Sequence, residues 1–476
     1  DALRQATEVS SDWGAAWTAL GTFQQQAGEF DQAEQSMRRA LELSPDSIAA
    51  RNNLAIALRR QDRADEAMAE IEQMRATGPL PIETRTLHAH LLGDQGRLEE
   101  ASAEYQAIVR ASPGALDAHE TLARLLPQLG RGDEALAAYD EALRKEPSDA
   151  LYSSALNSAW DLKSPDKLQQ WSEQALREVG DQPFYRAMGG MGLGLGGDSK
   201  AAVDVLEPLA DLGHDWLLPY CAYFRLASGD LQLAEERALA ASEIDPANQA
   251  TWAYLTVIWR LMADEREFML ADYDNFVLPV DLEPPAGFAS TTEFMAVLAE
   301  ELTALHVAKD HPSEQSVRGG TQTRGNLFDK RSPTIGALAA QIEQAIGEAT
   351  ARLPADPMHP FLARNTGRTR FEGSWSVRIK SGGFHSNHIH QRGWLSSALY
   401  VSLPDEVAIA SEQGQSDGSL AFGVPDPALK LDLEPRRIEH PKVGRLVLFP
   451  SYFWHGTLPF SSDAPRLTVA FDAVPA

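Results

Sequence analysis

One cysteine, Cys221, stands in 476 residues, so no internal disulfide can form and nothing in the chain calls for an oxidising compartment. A single thiol also excludes zinc sites built from several thiolates. Positive charge is scarce: 42 Lys and Arg against 68 Asp and Glu leave a net charge of -26. Sequence-independent binding of nucleic acid depends on clustered cations and is not expected; a neutral or basic partner fits better. No apolar run approaches the length of a bilayer span, so no membrane association is expected. A phosphate loop with its Lys-Ser or Lys-Thr pair, a nucleophile elbow and a CxxC pair are missing as well. The expected location is cytoplasmic, although the chain opens at Asp1 with neither Met nor an apolar leader, which leaves export open.

What is present is, first, a repeat. A chain of this length is too long for one core, and two or three domains are expected. Ala33, Ala67, Ala101 and Ala135 recur at a constant interval, as do Pro45, Pro79, Pro113 and Pro147. Gly28, Gly96 and Gly130 share that lattice, with Asp62 in the missing place. The shared period is 34 residues. Ala234 and Pro246 resume the pattern further on. Each unit reads as two amphipathic helices joined by a Gly or Asp turn and closed by proline, with the small Ala where the helices approach. The pattern resembles the tetratricopeptide repeat, best in the first unit through Trp17, Leu20, Gly21, Ala33, Ala40 and Pro45. Residues 151–216 keep only a helical texture, which the glycine-rich GGMGLGLGG at 189–197 is expected to interrupt as a tight, closely packed turn. Stacked pairs make a solenoid with a concave groove, which suits a peptide or protein partner; support of the next domain or homodimerisation is the other expectation.

Beyond about residue 265 the lattice stops. The segment 272–285 reads as a strand and linker, and helices are expected near 291–308 and 333–352, separated by the polar loop QSVRGGTQTRGN at 315–326, in which an Arg flanked by Gln and Thr could hold a substrate or lie over a site entrance. After residue 370, WSVRI, WLSSALYVSL, GSLAFGV, GRLVLFP and RLTVAFDAV read as short strands. The fold class is therefore α+β multidomain: an all-α solenoid over 1–265, then a double-stranded β-helix, a jelly-roll or cupin-like barrel with flanking helices, over 266–476.

Three of only 12 histidines crowd into HSNHIH at 385–390. On an extended strand His388 and His390 share a face, a natural metal chelate, and His455 in FPSYFWHG is the candidate third ligand from a distant strand. His385, His359, His311 and His440 read as solvated or loop residues, although His385, three residues before His388, is also the rival for one ligand position. Arg466 follows His455 across the turn-rich TLPFSSDAP, and a hairpin would bring both to one cavity. A fixed guanidinium beside a metal suits an α-keto diacid, whose far carboxylate it can hold through two parallel bonds.

This arrangement resembles the iron(II)- and 2-oxoglutarate-dependent oxygenases, through HIHQRGWLSSALYV, FPSYFWHG and RLTVAFD, with tetratricopeptide repeats in front. The resemblance implies Fe(II) held by His388, His390 and His455, 2-oxoglutarate anchored by Arg466, and hydroxylation of a C–H bond with release of succinate and CO2. Tyr400 and Ser397, by strand position, are candidates to line the cosubstrate pocket. The substrate it suggests is a side chain of a peptide or protein recruited by the repeats. One departure stands out: the wider superfamily has a carboxylate where His390 stands, so the site has one negative charge fewer and zinc becomes a competitor. Two alternatives remain: a repeat-based interaction scaffold or sensor with an inactive metal-binding barrel, and a three-histidine cupin-type dioxygenase that does not use 2-oxoglutarate.

Overall fold

In a computed structural model, which describes residues 2–308 and 316–476, the repeat lattice appears as packed helix pairs. They begin with Gly14–Gln26 and Phe30–Leu43 and run to Gln249–Met262, followed by the short Arg266–Leu270. Each pair turns on a residue with left-handed backbone: Gly28, Gly96 and Gly130 have φ between 74° and 78°, and Asp62 has φ 57°. The lattice continues in the backbone where it fades in the sequence. Lys163 (φ 50°), Gly197 (φ 100°), Gly229 (φ 83°) and Ala263 (φ 56°) occupy the corresponding turns, spaced by roughly the repeat period. Ala33, Ala67 and Ala101 are wholly buried at the helix contacts, where any larger side chain would force the pair apart.

The glycine-rich run does not break its helix. Pro183–Leu195 is continuous, and only Gly196 and Gly197 form the turn. Its glycines are packing sites: a Cβ at Gly194 would overlap the Phe224 ring, and one at Gly189 the Ser172 hydroxyl. The propensity cost of glycine in a helix, about 1 kcal/mol each, is offset by this close approach. Nearby, Trp160 of the helix Asp149–Asp161 and Tyr220 of Leu218–Ala227 pack edge to face, ring centroids 5.6 Å apart.

The C-terminal region is an antiparallel assembly of two sheets. Its strands are β1 (Leu278–Asp281), β2 (Val317–Gln322), β3 (Thr369–His385), β4 (Leu395–Ser402), β5 (Leu420–Phe422), β6 (Arg437–Glu439), β7 (Arg445–Pro450), β8 (His455–Thr457) and β9 (Arg466–Pro475). The larger sheet has the order β1-β7-β4-β9-β3-β2, the smaller β6-β5-β8. The expected helices are Thr291–Ala304 and Pro333–Thr350. Two expectations are corrected. The polar segment near 315–326 contains β2, an edge strand with Val317, Gly320 and Thr321 buried, which its polar composition disguises; Gln315 lies outside the described residues. And β8 and β9 do not pair as a hairpin: β8 joins β5, while β9 lies between β3 and β4.

Repeats and sheets share one interior. A continuous cluster of buried residues runs from Ala222 and Leu255 in the last repeats to Phe449 and Phe471 in the sheets. Trp454 Nε1 donates to the Ala253 carbonyl at 2.9 Å, and Tyr452 Oη to that of Leu270 at 2.7 Å. At the opposite end, Asp62 accepts from Lys330 Nζ and from the Arg331 backbone N–H, each at 3.2 Å. This is the one place in the lattice from 28 to 130 where the turn residue is not glycine, and it is a docking point.

Candidate active site

The histidines sit where β3 ends and its chain continues toward β4. His388 is not within a regular strand; it forms a single bridge to His455, exchanging both backbone hydrogen bonds at 3.0 and 3.1 Å. His390 N–H donates to the Ser451 carbonyl at 3.0 Å, so both imidazoles are tied to the segment leading into β8. Gly456 allows that approach, since a Cβ there would collide with the Asn387 side chain and lie 2.8 Å from the His385 carbonyl oxygen. Candidate donor atoms of His388, His390 and His455 all lie within 4.8 Å of one another, and Nε2 of His388 and His390 are 3.2 Å apart.

Each of the three rings has its Nδ1 occupied from behind. His388 Nδ1 faces the Ser386 carbonyl at 2.9 Å, His455 Nδ1 the Phe453 carbonyl at 2.8 Å, and His390 Nδ1 Asp472 Oδ2 at 2.8 Å. A carbonyl or carboxylate there fixes Nδ1 as the protonated nitrogen and leaves Nε2 with a free lone pair, which is how metal-ligating histidines are oriented. Burial, reinforced by His390, pushes His388 down to about 3, and burial holds His455 well below 6.5, so both are neutral bases at physiological pH. Trp375 stacks on His390 with centroids 5.7 Å apart, and Phe449 packs on His455 at 4.6 Å.

Arg466 enters the same cavity, of about 490 Å³, from the other sheet. It is 2% exposed, with Nη1 donating to the Gly418 carbonyl at 2.6 Å and Nη2 to Thr457 Oγ1 at 3.3 Å. Its Nε has no partner, and no carboxylate pairs with it among the described residues. Burial lowers its pKa, which reflects the cost of an uncompensated guanidinium in a dry place. Tyr400 lies beneath it, ring centroid 5.4 Å from Cζ, with a buried hydroxyl that also lacks a partner and is pushed up to about 12 by burial. A buried guanidinium on the cavity wall with no acid partner among the described residues is a place that a small anion would complete.

The other expected residues fall unevenly. Ser397 borders the cavity, but its hydroxyl is engaged with the Phe471 backbone, donating at 3.0 Å and accepting at 2.9 Å. Tyr400 reaches the chamber only through Arg466 and does not border the cavity. His385 is no solvated loop residue: it lines the cavity, with Nδ1 2.9 Å from Ser316 Oγ, and that hydroxyl also reaches His388 Nε2 at 3.1 Å. His359 is likewise buried, bonding the Met269 carbonyl at 2.9 Å and accepting from the Phe361 and Leu362 N–H groups, a structural role far from the histidine cluster in sequence. His440 Nδ1 lies 3.2 Å from Ser419 Oγ, and His311 falls outside the described residues. Sequence reasoning missed Asp472, Trp375 and Ser316. Asp472 carried a usable signal, because Arg466, Thr468, Ala470 and Asp472 alternate along β9 and all border the cavity.

Comparison with known proteins adds the following. Residues 373–472 match the family model described as "Putative 2OG-Fe(II) oxygenase", and residues 24–91 and 86–150 each match a tetratricopeptide-repeat model. No curated protein shows significant similarity to the chain. Among solved structures, it is similar to a tetratricopeptide repeat protein from Parabacteroides merdae ATCC 43184 (16% identity, 52% of this chain and 98% of that one, TM-score 0.36). It is also similar to YrrB, a TPR protein with an unusual peptide-binding site (16%, 37% and 92%, TM-score 0.27), and to PilF of Pseudomonas aeruginosa (19%, 42% and 91%, TM-score 0.31). The chain thus carries tetratricopeptide repeats in its N-terminal region and, at its C-terminal end, a domain that matches the iron(II)/2-oxoglutarate oxygenase family over residues 373–472.

Proposed function

We propose that this chain is an Fe(II)- and 2-oxoglutarate-dependent dioxygenase that hydroxylates a side chain of a peptide or protein. The observation that carries the reading is one cavity holding three imidazoles with Nδ1 tied back and, across it, a buried guanidinium with no acid partner. The donor set fits the metal: His388, His390 and His455 would hold it through Nε2. The orphaned Arg466 fits the cosubstrate, which arrives with the carboxylate that the guanidinium lacks. When bound, the iron supplies the oxidative chemistry, coupling decarboxylation of the keto acid to oxidation of a C–H bond.

What the protein's own residues do can be stated directly. Arg466, preorganised by the Gly418 carbonyl and Thr457, receives the distal carboxylate through charge-assisted bonds without reorganising. Tyr400 backs the guanidinium, its ring centroid 5.4 Å from Arg466 Cζ, and helps to hold it in place. Trp375, Phe449 and Phe422 wall the histidines with apolar rings and limit water around them. The cavity is bordered on the repeat side by Lys163, from the turn between the helices Asp149–Asp161 and Pro165–Glu178, so a polypeptide held by the repeats would meet the site at that rim. No helix among the described residues is long and apolar enough to cross a membrane.

Anaerobic titration of the metal-free protein with Fe(II) and then 2-oxoglutarate tests the reading. A visible metal-to-ligand charge-transfer band is expected on adding 2-oxoglutarate, and Arg466→Ala should weaken or abolish it. Bound Fe(II) without the band would move the assignment to a three-histidine dioxygenase that takes substrate directly on the metal.

A further inference from the structure

Where the oxygenase superfamily places a ligand carboxylate, this chain has His390, and a carboxylate stands directly behind that imidazole. Asp472 Oδ2 lies 2.8 Å from His390 Nδ1. Its other oxygen accepts from Ser396 Oγ at 2.6 Å, and Ser396 is in turn 2.9 Å from Ser451 Oγ. The pair is largely enclosed, with side chains 13% and 16% exposed. The other two rings differ in kind, because the acceptors behind His388 and His455 are neutral carbonyls. The strand pairing explains the placement: Ser396 of β4 sits opposite Asp472 of β9, on the face of β9 that also carries Arg466.

We propose that Asp472 is a positioning residue that returns the missing carboxylate charge to the metal site through the ring of His390. The inference rests on the metal-site reading above. A carboxylate hydrogen-bonded to the far nitrogen of a ligating imidazole fixes its tautomer, makes Nε2 a stronger donor and raises metal affinity. The negative charge is thereby displaced by the width of a ring rather than lost. In a partly buried setting that displacement still leaves a sizeable interaction with a divalent cation. A set of three histidines backed by one anion can hold a divalent ion without a ligand carboxylate.

The test is Fe(II) affinity of the full chain, measured anaerobically by competition with a chromophoric chelator. Asp472→Asn keeps an oxygen able to accept from Nδ1 and loses the charge; Asp472→Glu keeps the charge on a longer stem. Expected are a loss of about 10- to 100-fold in Fe(II) affinity for Asp472→Asn and recovery of most of it in Asp472→Glu. Melting of the metal-free variants shows whether either fails to fold. A variant-free readout covers that outcome: in the Zn(II)-loaded wild-type protein with isotope-labelled histidine, the Nδ1 proton of His390 should resonate further downfield than those of His388 and His455. Asp472→Asn binding Fe(II) as tightly as wild type, or a His390 Nδ1 proton no further downfield than the other two, would overturn the proposal. Failure of wild type itself to bind Fe(II) or Zn(II) is a different result, which removes the metal-site reading and the inference with it.

Discussion

The solenoid and the sheets bury their polar groups by opposite routes. In the repeats, the buried hydroxyls that have side-chain partners find them a helix or two away: Tyr139 Oη meets Ser154 and Ser158, and Ser36 meets Gln24, 12 residues apart. In the sheets the corresponding contacts span the domain, with His390 and Asp472 82 residues apart and His306 and Ser376 70 apart. Short-range satisfaction makes each repeat a small self-consistent unit, tolerant of its neighbours' variation. Long-range satisfaction concentrates consequence: β9 alone supplies Asp472 behind His390 and Arg466 in the same cavity. The repeats stabilise locally; the sheets assemble a site.

That contrast can be broken at its strongest point first. His455→Ala should weaken Fe(II) binding by at least about 100-fold, since it removes both a proposed ligand and the bridge partner of His388, and a chelator competition assay reads it directly. Arg466→Met should cost 2-oxoglutarate binding about 2–5 kcal/mol, roughly 30- to 4000-fold, by isothermal titration. Yet the melting temperature of the ligand-free protein should not fall, because a buried guanidinium without an acid partner is itself a cost. A site residue that can be replaced without loss of stability is the sharpest form of the contrast.

Weaker effects probe the joints. His306, at the end of the helix Thr291–Ala304, bridges Thr321 Oγ1 at 2.8 Å and Ser376 Oγ at 3.1 Å, and burial, with Arg378 adding to it, lowers it from 6.5 to about 4. A folded-state value below the unfolded one means that the unfolded chain takes up the proton first. Stability should be fully present above pH 6.5, fall by up to about 3 kcal/mol as pH drops toward 4, and level off below that. His306→Gln should flatten that slope in urea melts across the range. Gly194→Ala should destabilise by about 1–3 kcal/mol through its collision with Phe224, despite alanine's better helix propensity, and a lowered unfolding midpoint would register it. Lys330→Ala, which removes a partly exposed ion pair with Asp62 at the docking edge, should cost under about 1 kcal/mol.

The solenoid was legible because its information is local: the Ala, Pro and Gly registers read off at a fixed period, and the left-handed turns occur where those glycines predict. It became illegible where different residues satisfy the same geometry, as Lys163 and Ala263 do at the later turns, and where glycines serve packing within the helix Pro183–Leu195. The strands after residue 370 were legible as alternating runs, whereas β2, polar and edge-placed, was not. At the site, the sequence brought His388, His390, His455 and Arg466 into one hypothesis by residue type and spacing. It misjudged the path between them, placing His455 and Arg466 on one hairpin when they come from different sheets.

By itself the sequence determined the repeat period, the change from helical to strand texture, and a small set of residues with the chemistry for metal and anion binding. Those properties live in spacing along the chain and in side-chain type. Only the tertiary structure decided which nitrogen each histidine presents, that Arg466 has no acid partner among the described residues, that Asp472 stands behind His390, and that Asp62 replaces a turn glycine to accept from the docked C-terminal region. Each depends on the pairing of strands or surfaces remote in sequence, and the register of such pairings is set by packing of the whole core rather than by any segment that takes part in it.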